Sequence, residues 1–212
     1  MIILNEKEIQ HIYGMKQAIS DIEKMLDHKN KGKIVNPART VIEFPEEDGS
    51  VLYMPSTDLD EEIMSMKAVT IFPNNPSRGK ATTQGVVLLS SAKDGEHVAM
   101  FNASYLTRLR TGAISGLATD RLARKNAETV TMIGTGGMAF EQALGVLAVR
   151  DIKEMLLINP TQEKAHRFKE KLRDFGVDPS VEINVLDDVS EVVSRAEIIC
   201  CSTRSHDPVF DG

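Results

Sequence analysis

Apolar and polar positions change their period once along this chain. From Ala127 onward, short apolar runs alternate strictly with amphipathic stretches. The runs predict strands over 130–134, 154–159, 181–186 and 197–202, and the stretches between them predict helices over 137–149, 161–175 and 188–194. Gly176 supplies a stop for the second of these helices. Such alternation predicts a parallel, doubly wound α/β sheet. Only four of the six strands of a complete dinucleotide-binding fold are present, so the sheet is expected to be incomplete at its C-terminal side.

The first 123 residues read differently. Asn5 with Glu8 forms a capping-box pattern before a short helix. Met15, Ala18, Ile19, Ile22, Met25 and Leu26 recur at helical spacing and predict a helix over 14–30. Period-2 runs then predict strands over 40–44, 51–54, 64–72, 85–91 and 97–102. The Asp48-Gly49 and Asp94-Gly95 pairs are hairpin signals. A long polar loop with two prolines occupies 73–83, a length that often carries function. A helix over 104–123 follows. Thr107, Arg110, Ile114 and Leu117 define one stripe of it, and Gly112, Ala113 and Gly116 make the neighbouring stripe small enough for close backbone approach. This helix reads as the junction between an N-terminal α+β domain, 1–123, and a nucleotide-binding domain, 124–212.

The most informative stretch is 128–142, Glu-Thr-Val-Thr-Met-Ile-Gly-Thr-Gly-Gly-Met-Ala-Phe-Glu-Gln. A β-prone run leads into Gly134, Gly136 and Ala139, in the order G-x-G-x-x-A, and a helical pattern follows without a break. Strand, glycine turn and helix in succession form the dinucleotide fingerprint. Gly134 permits the turn, Gly136 lets backbone approach a pyrophosphate, and Ala139 lets the helix pack closely. Thr135, Gly136, Gly137 and Met138 then present a helix N-terminus to phosphate.

Composition narrows the class without changing the picture. The 212 residues are 42% hydrophobic and 26% charged, with a net charge of −6 and no basic block. That argues against nucleic acid as the main partner. No apolar run is long enough to span a bilayer. Cys200 and Cys201 are neighbours in a predicted strand, which is no disulfide framework and points to a reducing cytoplasm. His11, His28, His97, His166 and His206 lack metal-ligand spacing, so no metal site is expected.

Candidate chemistry is cationic. Lys67 shares a strand face with the apolar Val69 and Ile71, where a lysine needs a partner charge or a ligand unless that strand lies at an exposed edge. Arg110 lies on the Ile114/Leu117 stripe and is expected to point into the protein, with Arg108 the ordinary surface arginine. Arg39 directly precedes a strand. Together Arg39, Lys67 and Arg110 suit a carboxylate, which guanidinium forks match bidentately. Ser202 and Thr203 follow a strand end, where they can meet a ribose or form a plain polar loop. The second parallel strand ends in Asn159-Pro160-Thr161, without the acid that favours NAD. Lys164 and Arg167 lie in the next helix, positioned either for a 2′-phosphate or for solvent.

These residues resemble the ornithine cyclodeaminase/mu-crystallin family over essentially the whole chain. The likeness rests on Asn36-Pro-Ala-Arg39, Val51-Leu-Tyr-Met-Pro55, Met66-Lys67, the run from Gly79 to Val87, Leu109-Arg-Thr-Gly-Ala-Ile-Ser115 and the Gly134-Thr-Gly-Gly137 turn. The resemblance implies NAD or NADP, hydride transfer at the Cα of a small amino or imino acid, and a homodimer formed through the N-terminal β domain. It assigns Arg39, Lys67 and Arg110 to the substrate carboxylate, places Lys67 beside the reacting carbon, and groups Thr111 and Asn159 with the cofactor-binding positions. Within the family the implied activity is that of an alanine dehydrogenase or ketimine reductase, or of an ornithine cyclodeaminase. Ornithine-using members carry a glutamate at the position of Leu52, which argues against ornithine. The catalytic aspartate of the family falls beyond the point matching Gly212, so the expectation is a fragment or natural truncation lacking that general acid/base. A non-catalytic, crystallin-like nucleotide binder is the alternative from another class.

Overall fold

The computed structural model describes residues 1–211. They form two compact units: Met1–Gly14 with Glu23–Thr107, and Met15–Ile22 with the chain from Arg108 onward. The division falls within the helix that the sequence marks as the junction.

The first unit contains β1 (Ile2–Leu4), α1 (Glu6–Ile12), the C-terminal half of α2 (Met15–Asn30), β2 (Ile34–Val35), β3 (Thr40–Phe44), β4 (Gly49–Asp58), β5 (Ile63–Ile71), β6 (Thr83–Ser91), β7 (His97–Asn102) and the start of α3 (Ala103–Leu122). Asn5 caps α1 as expected. Its side chain accepts from the N–H of Glu8, and the Glu8 carboxylate accepts from the N–H of Asn5. The strands form one mixed sheet in the order β1-β7-β6-β5-β4-β2, with β3 also on β4. Only the β1–β7 pair is parallel. β1 and β2 are too short to carry a period-2 signal, and pairing extends β4 well past the expected 51–54.

The turns depart from the Asp-Gly expectation. The β3–β4 connection is a 3₁₀ turn over Pro45–Glu47 that leaves Asp48 left-handed at φ 49°. In the β6–β7 connection only Gly95 has positive φ. A type I′ turn needs both central residues there. The 73–83 loop holds a 3₁₀ turn at Asn75–Arg78.

The second unit holds β8 (Thr129–Ile133), α4 (Ala139–Leu147), β9 (Glu154–Ile158), α5 (Gln162–Phe175), β10 (Glu182–Val185), α6 (Val189–Arg195) and β11 (Ile198–Cys201). All four strands are parallel, in the order β10-β9-β8-β11. Helices cover both faces. Val130, Met132, Met155 and Leu157 pack with α4 and α5, while Ile133, Leu156 and Ile158 pack with α6. Burial on both sides explains why these strands read as continuous apolar runs. Thr131, the fully buried polar residue of β8, is satisfied by donating its hydroxyl hydrogen to the Val192 carbonyl at 2.9 Å.

The small stripe of α3 meets α4. A Cβ on Gly112 would lie 2.1 Å from the Glu141 carbonyl oxygen, and one on Gly145 would lie 2.1 Å from that of Gly112. This close approach rotates α3 relative to the sequence expectation. Leu109, Ala113 and Leu117 are buried, whereas Arg110 and Ile114 are exposed. The corrected reading exchanges the two arginines. Arg108 is the partly buried one, and its Nε donates to the buried Glu141 carboxylate at 3.0 Å. Glycine carries no hydrophobic weight, so counting large apolar residues turns the helix by about one position, near 100°.

Arg150 ties α3 to the sheet. Its buried guanidinium donates to the carbonyls of Thr119, Asp120, Ala123 and Arg124 and to the Asp120 carboxylate. These carbonyls lie at and just beyond the C-terminal end of α3, where intrahelical partners run out, and those of Thr119 and Arg124 also accept the N–H groups of Ala123 and Ala127. Lys125 first, then Arg150, holds the Asp120 carboxyl below the usual range. That contribution to stability is present above the ordinary carboxylate pKa and is lost as pH falls through the depressed one. Arg150→Met is expected to cost roughly 3 kcal/mol in urea unfolding, because it removes several hydrogen bonds from one buried charged donor, and to flatten the acid loss of stability. A cost below about 1 kcal/mol would rule out the clamp.

Candidate functional site

The best-defined constellation lies at the C-terminal ends of the parallel strands. The strand order reverses between β8 and β11, and in open α/β sheets ligands bind at this crevice. Gly134 leaves β8 at φ +89°. A Cβ there would lie 2.5 Å from the Ser202 carbonyl oxygen and 3.1 Å from the Thr203 methyl. Only glycine accepts both that dihedral and that crowding. The turn is pinned from two sides: the Gly134 N–H donates to the Ile158 carbonyl, and the Ser202 N–H to the Ile133 carbonyl, both at 2.8 Å.

Beyond the pinned glycine the backbone is bare. Cβ atoms on Gly136 or Gly137 would meet nothing within 4 Å. No side chain caps α4. Among the described residues the N–H groups of Gly136, Gly137 and Met138 carry no hydrogen bond. The buried Thr135 hydroxyl oxygen also lacks a partner. Open amides and a helix N-terminus together form a seat for an anion.

Asn159 stands beside this seat in a structural role. Its carbonyl oxygen accepts the Thr135 N–H at 3.3 Å, and its amide donates to the Thr161 carbonyl at 2.9 Å. Gly134, Thr135, Gly136, Gly137, Met138, Asn159, Ser202 and Thr203 are therefore brought to one end of one sheet. Thr111 lies on α3, half-buried.

Adjoining the turn is a cleft of about 290 Å³ lined by Thr135, Gly136, Gly137, Phe140, Lys164, Arg167, Phe168 and Lys171. Lys171 lies over the Phe140 ring, 3.8 Å from its centroid. Sequence reasoning missed Lys171, although its i+7 spacing from Lys164 puts both on one helix face. A second cleft, of about 330 Å³, lies between Leu144 and Phe175, away from the turn.

In the first unit, register explains the placement of the other candidates. Lys67 pairs with Met54 and Val87. It is half-buried, shares a face with Leu52 and Val69, and belongs to a full-length interior strand rather than an edge. Arg39, exposed, immediately precedes β3, whose Thr40 pairs with Tyr53. Alternation puts Arg39 on the Lys67 face, about two strand spacings away, roughly 10 Å. Arg110 belongs to the other unit and is exposed.

Nucleophilic alternatives are poor. Burial first, then the neighbouring Cys201, pushes the Cys200 thiol up to about 11, so it stays protonated at neutral pH.

A family model for the ornithine cyclodeaminase/mu-crystallin family matches residues 1–212. The chain belongs to that family. It is 38% identical over 211 residues to a Δ1-pyrroline-2-carboxylate reductase of Bacillus cereus, covering 99% of this chain and 64% of the relative. Among solved structures, the Thermococcus litoralis Δ1-pyrroline-2-carboxylate reductase in complex with NADH and L-proline superposes with a TM-score of 0.89 at 31% identity, covering 99% of this chain and 64% of that one. An archaeal alanine dehydrogenase dimer with bound NAD gives a TM-score of 0.88 at 30% identity, covering 99% and 62%. The chain thus spans somewhat less than two thirds of the length of these relatives. Among its described residues no helix is long and apolar enough to cross a membrane.

Proposed function

We propose that this chain is part of an NAD(P)-dependent reductase of small α-imino acids, with Δ1-pyrroline-2-carboxylate the first substrate to test. The carrying observation is the glycine turn at the switch point, with its bare amides and partnerless Thr135 hydroxyl. No atom lies within 4 Å of where a Cβ on Gly136 or Gly137 would stand, which supports a pyrophosphate approaching the backbone there. On this reading the parallel unit is the first portion of a Rossmann-type domain. Gly136, Gly137 and Met138 donate backbone N–H groups to the phosphates, and Thr135 adds its hydroxyl. Ser202 and Thr203 flank the ribose on the β11 side. The bound nicotinamide supplies the hydride for the imine carbon.

Arg39, Lys67 and Arg110 are the cations assigned to the substrate carboxylate. Lys67 also stands next to the reacting carbon. Lys67 is half-buried on an interior strand, on the face that also carries Leu52 and Val69. Leu52 lies on that same face and pairs with Val69. An apolar neighbour favours a ring methylene over the distal ammonium of ornithine, so reduction is preferred here to cyclodeamination.

The chain is further proposed to act as a homodimer. Ile42, Tyr53, Met66 and Val86 are exposed, and alternation puts all four on the sheet face opposite Lys67. A contiguous apolar patch of this kind marks an interaction surface. The archaeal alanine dehydrogenase is itself described as a dimer. Light scattering is expected to give twice the chain mass, and Met66→Lys with Val86→Lys to give the monomer. A wild-type monomer at micromolar concentration would refute the assignment.

The catalytic reading is tested in the intact protein by following nicotinamide absorbance with Δ1-pyrroline-2-carboxylate. Lys67→Met and Arg110→Met are each expected to lower kcat/KM by on the order of a hundredfold or more, with cofactor binding unchanged. Ammonia release from ornithine without net cofactor turnover would instead establish the cyclodeaminase.

A further inference from the structure

α3 lies on α4 through glycine, which gives closeness without grip. A Cβ on Gly112 would overlap the Glu141 carbonyl, and one on Gly145 would overlap the Gly112 carbonyl. Interlocking side chains fix how one helix slides or swings along another, and a glycine stripe has none to interlock. Polar contacts supply the grip at the two ends. Arg150, just beyond α4, holds the Thr119, Asp120 and Ala123 carbonyls at the C-terminal end of α3. Arg108 holds the N-terminal end, where its Nε donates to the Glu141 carboxylate at 3.0 Å.

The Arg108–Glu141 contact is poorly built for stability alone. The Glu141 side chain is 6% exposed and that of Arg108 27%. Glu141 Oε2 is buried and has no hydrogen-bond partner. A buried carboxylate with one idle oxygen carries a desolvation cost that an apolar pair of similar size avoids. What the pair gives is direction. It ties the first turn of α4, directly after the glycine turn, to the part of α3 that carries Arg110 and Thr111. From Thr119 back to Arg108 the helix runs roughly 16 Å, at about 1.5 Å per residue. With the far end pinned, a tilt of about 5° displaces the Arg108 turn by about 1.4 Å over that length. A misplacement near 1 Å costs on the order of a hundredfold in rate when it moves a group that orients substrate.

We propose that Arg108 and Glu141 are a positioning pair: they pin the N-terminal end of α3 to the first turn of α4 and so set where Arg110 stands relative to the glycine turn. The inference rests on the functional reading above for the role of Arg110 and adds the device that places it. Neither member of the pair is assigned to substrate or cofactor, and both act through Arg110. Selecting one arrangement among several is the best-attested use of a buried charged pair.

The test compares the intact wild-type protein with two variants. Arg108→Met with Glu141→Met replaces the pair by apolar, unbranched chains, and its urea midpoint is expected to equal or exceed that of the wild type. Its kcat/KM for Δ1-pyrroline-2-carboxylate is expected to fall by at least about tenfold, with cofactor affinity unchanged. Glu141→Gln keeps an acceptor oxygen in the same place and is expected to hold kcat/KM within about threefold of wild type. The placement itself is read without substrate, from the nuclear Overhauser contact between the Gly112 α-hydrogens and the β-hydrogens at position 141. That contact should weaken in the double Met variant and persist in Glu141→Gln. An unchanged contact, or unchanged kcat/KM in the folded double variant, overturns the inference. A lowered midpoint with activity lost only in step with the unfolded fraction overturns it too, since the pair is then an ordinary packing contact. Glu141→Gln as slow as the double variant does the same, by showing that charge rather than placement matters. A wild type that reduces no imino acid overturns the functional reading instead, and the Gly112 contact then decides the placement alone.

Discussion

Everything in the parallel unit follows from how closely two strand ends pass one another. β8 and β11 separate at Gly134, and the Ser202 carbonyl occupies the space that a side chain on that residue would need. Two backbone hydrogen bonds hold the crossing in place. Below it, strands buried on both faces supply the core. Above it, the chain must turn into α4 without side chains in the way. The result is a run of peptide N–H groups whose partners lie outside the fold. Unsatisfied donors are costly in a buried setting, and in the mouth of a sheet they serve as an anion seat.

The helix pair α3–α4 applies the same device to packing. Gly112 and Gly145 let the two backbones touch, and the contact fixes the N-terminal end of α4, from which the seat is built. Arg108 and Glu141 close one end of this crossing, and Arg150 closes the carbonyl end of α3. Buried charge is thus used at the margins of a contact made by glycine: Arg150 is satisfied by hydrogen bonds, whereas one oxygen of the buried Glu141 carboxylate has no hydrogen-bond partner. The cationic cleft differs. Its charges are exposed, loosely paired and arranged around an opening, as expected of groups that wait for a ligand rather than hold a fold together.

Much of this is legible in the residues. The parallel strands announce themselves because burial on both faces leaves uninterrupted apolar runs, and the glycine turn because its three small residues stand between a strand and a helix. Strand β5 and the face of Lys67 follow from alternation alone. What stays hidden has physical causes. β1 and β2 are too short to display a period and exist only through pairing. The face of α3 is misjudged because glycine contacts are invisible to a hydrophobic count, which exchanges Arg108 and Arg110. Asn159 also braces the turn, accepting the Thr135 N–H and donating to the Thr161 carbonyl, a role that only the geometry of two loops supplies. Lys171 needs the Phe140 ring, distant in sequence, to become part of a cleft.

The central claim is that free backbone amides after Gly134 receive a dinucleotide pyrophosphate. It is tested most directly by amide chemical shifts of isotopically labelled chain on addition of NADPH. The largest shifts should fall on Gly136, Gly137 and Met138, with the Thr135 amide, already bonded to Asn159, moving less. Silence at those amides, with the shifts gathered instead around the cleft between Leu144 and Phe175, would contradict the account.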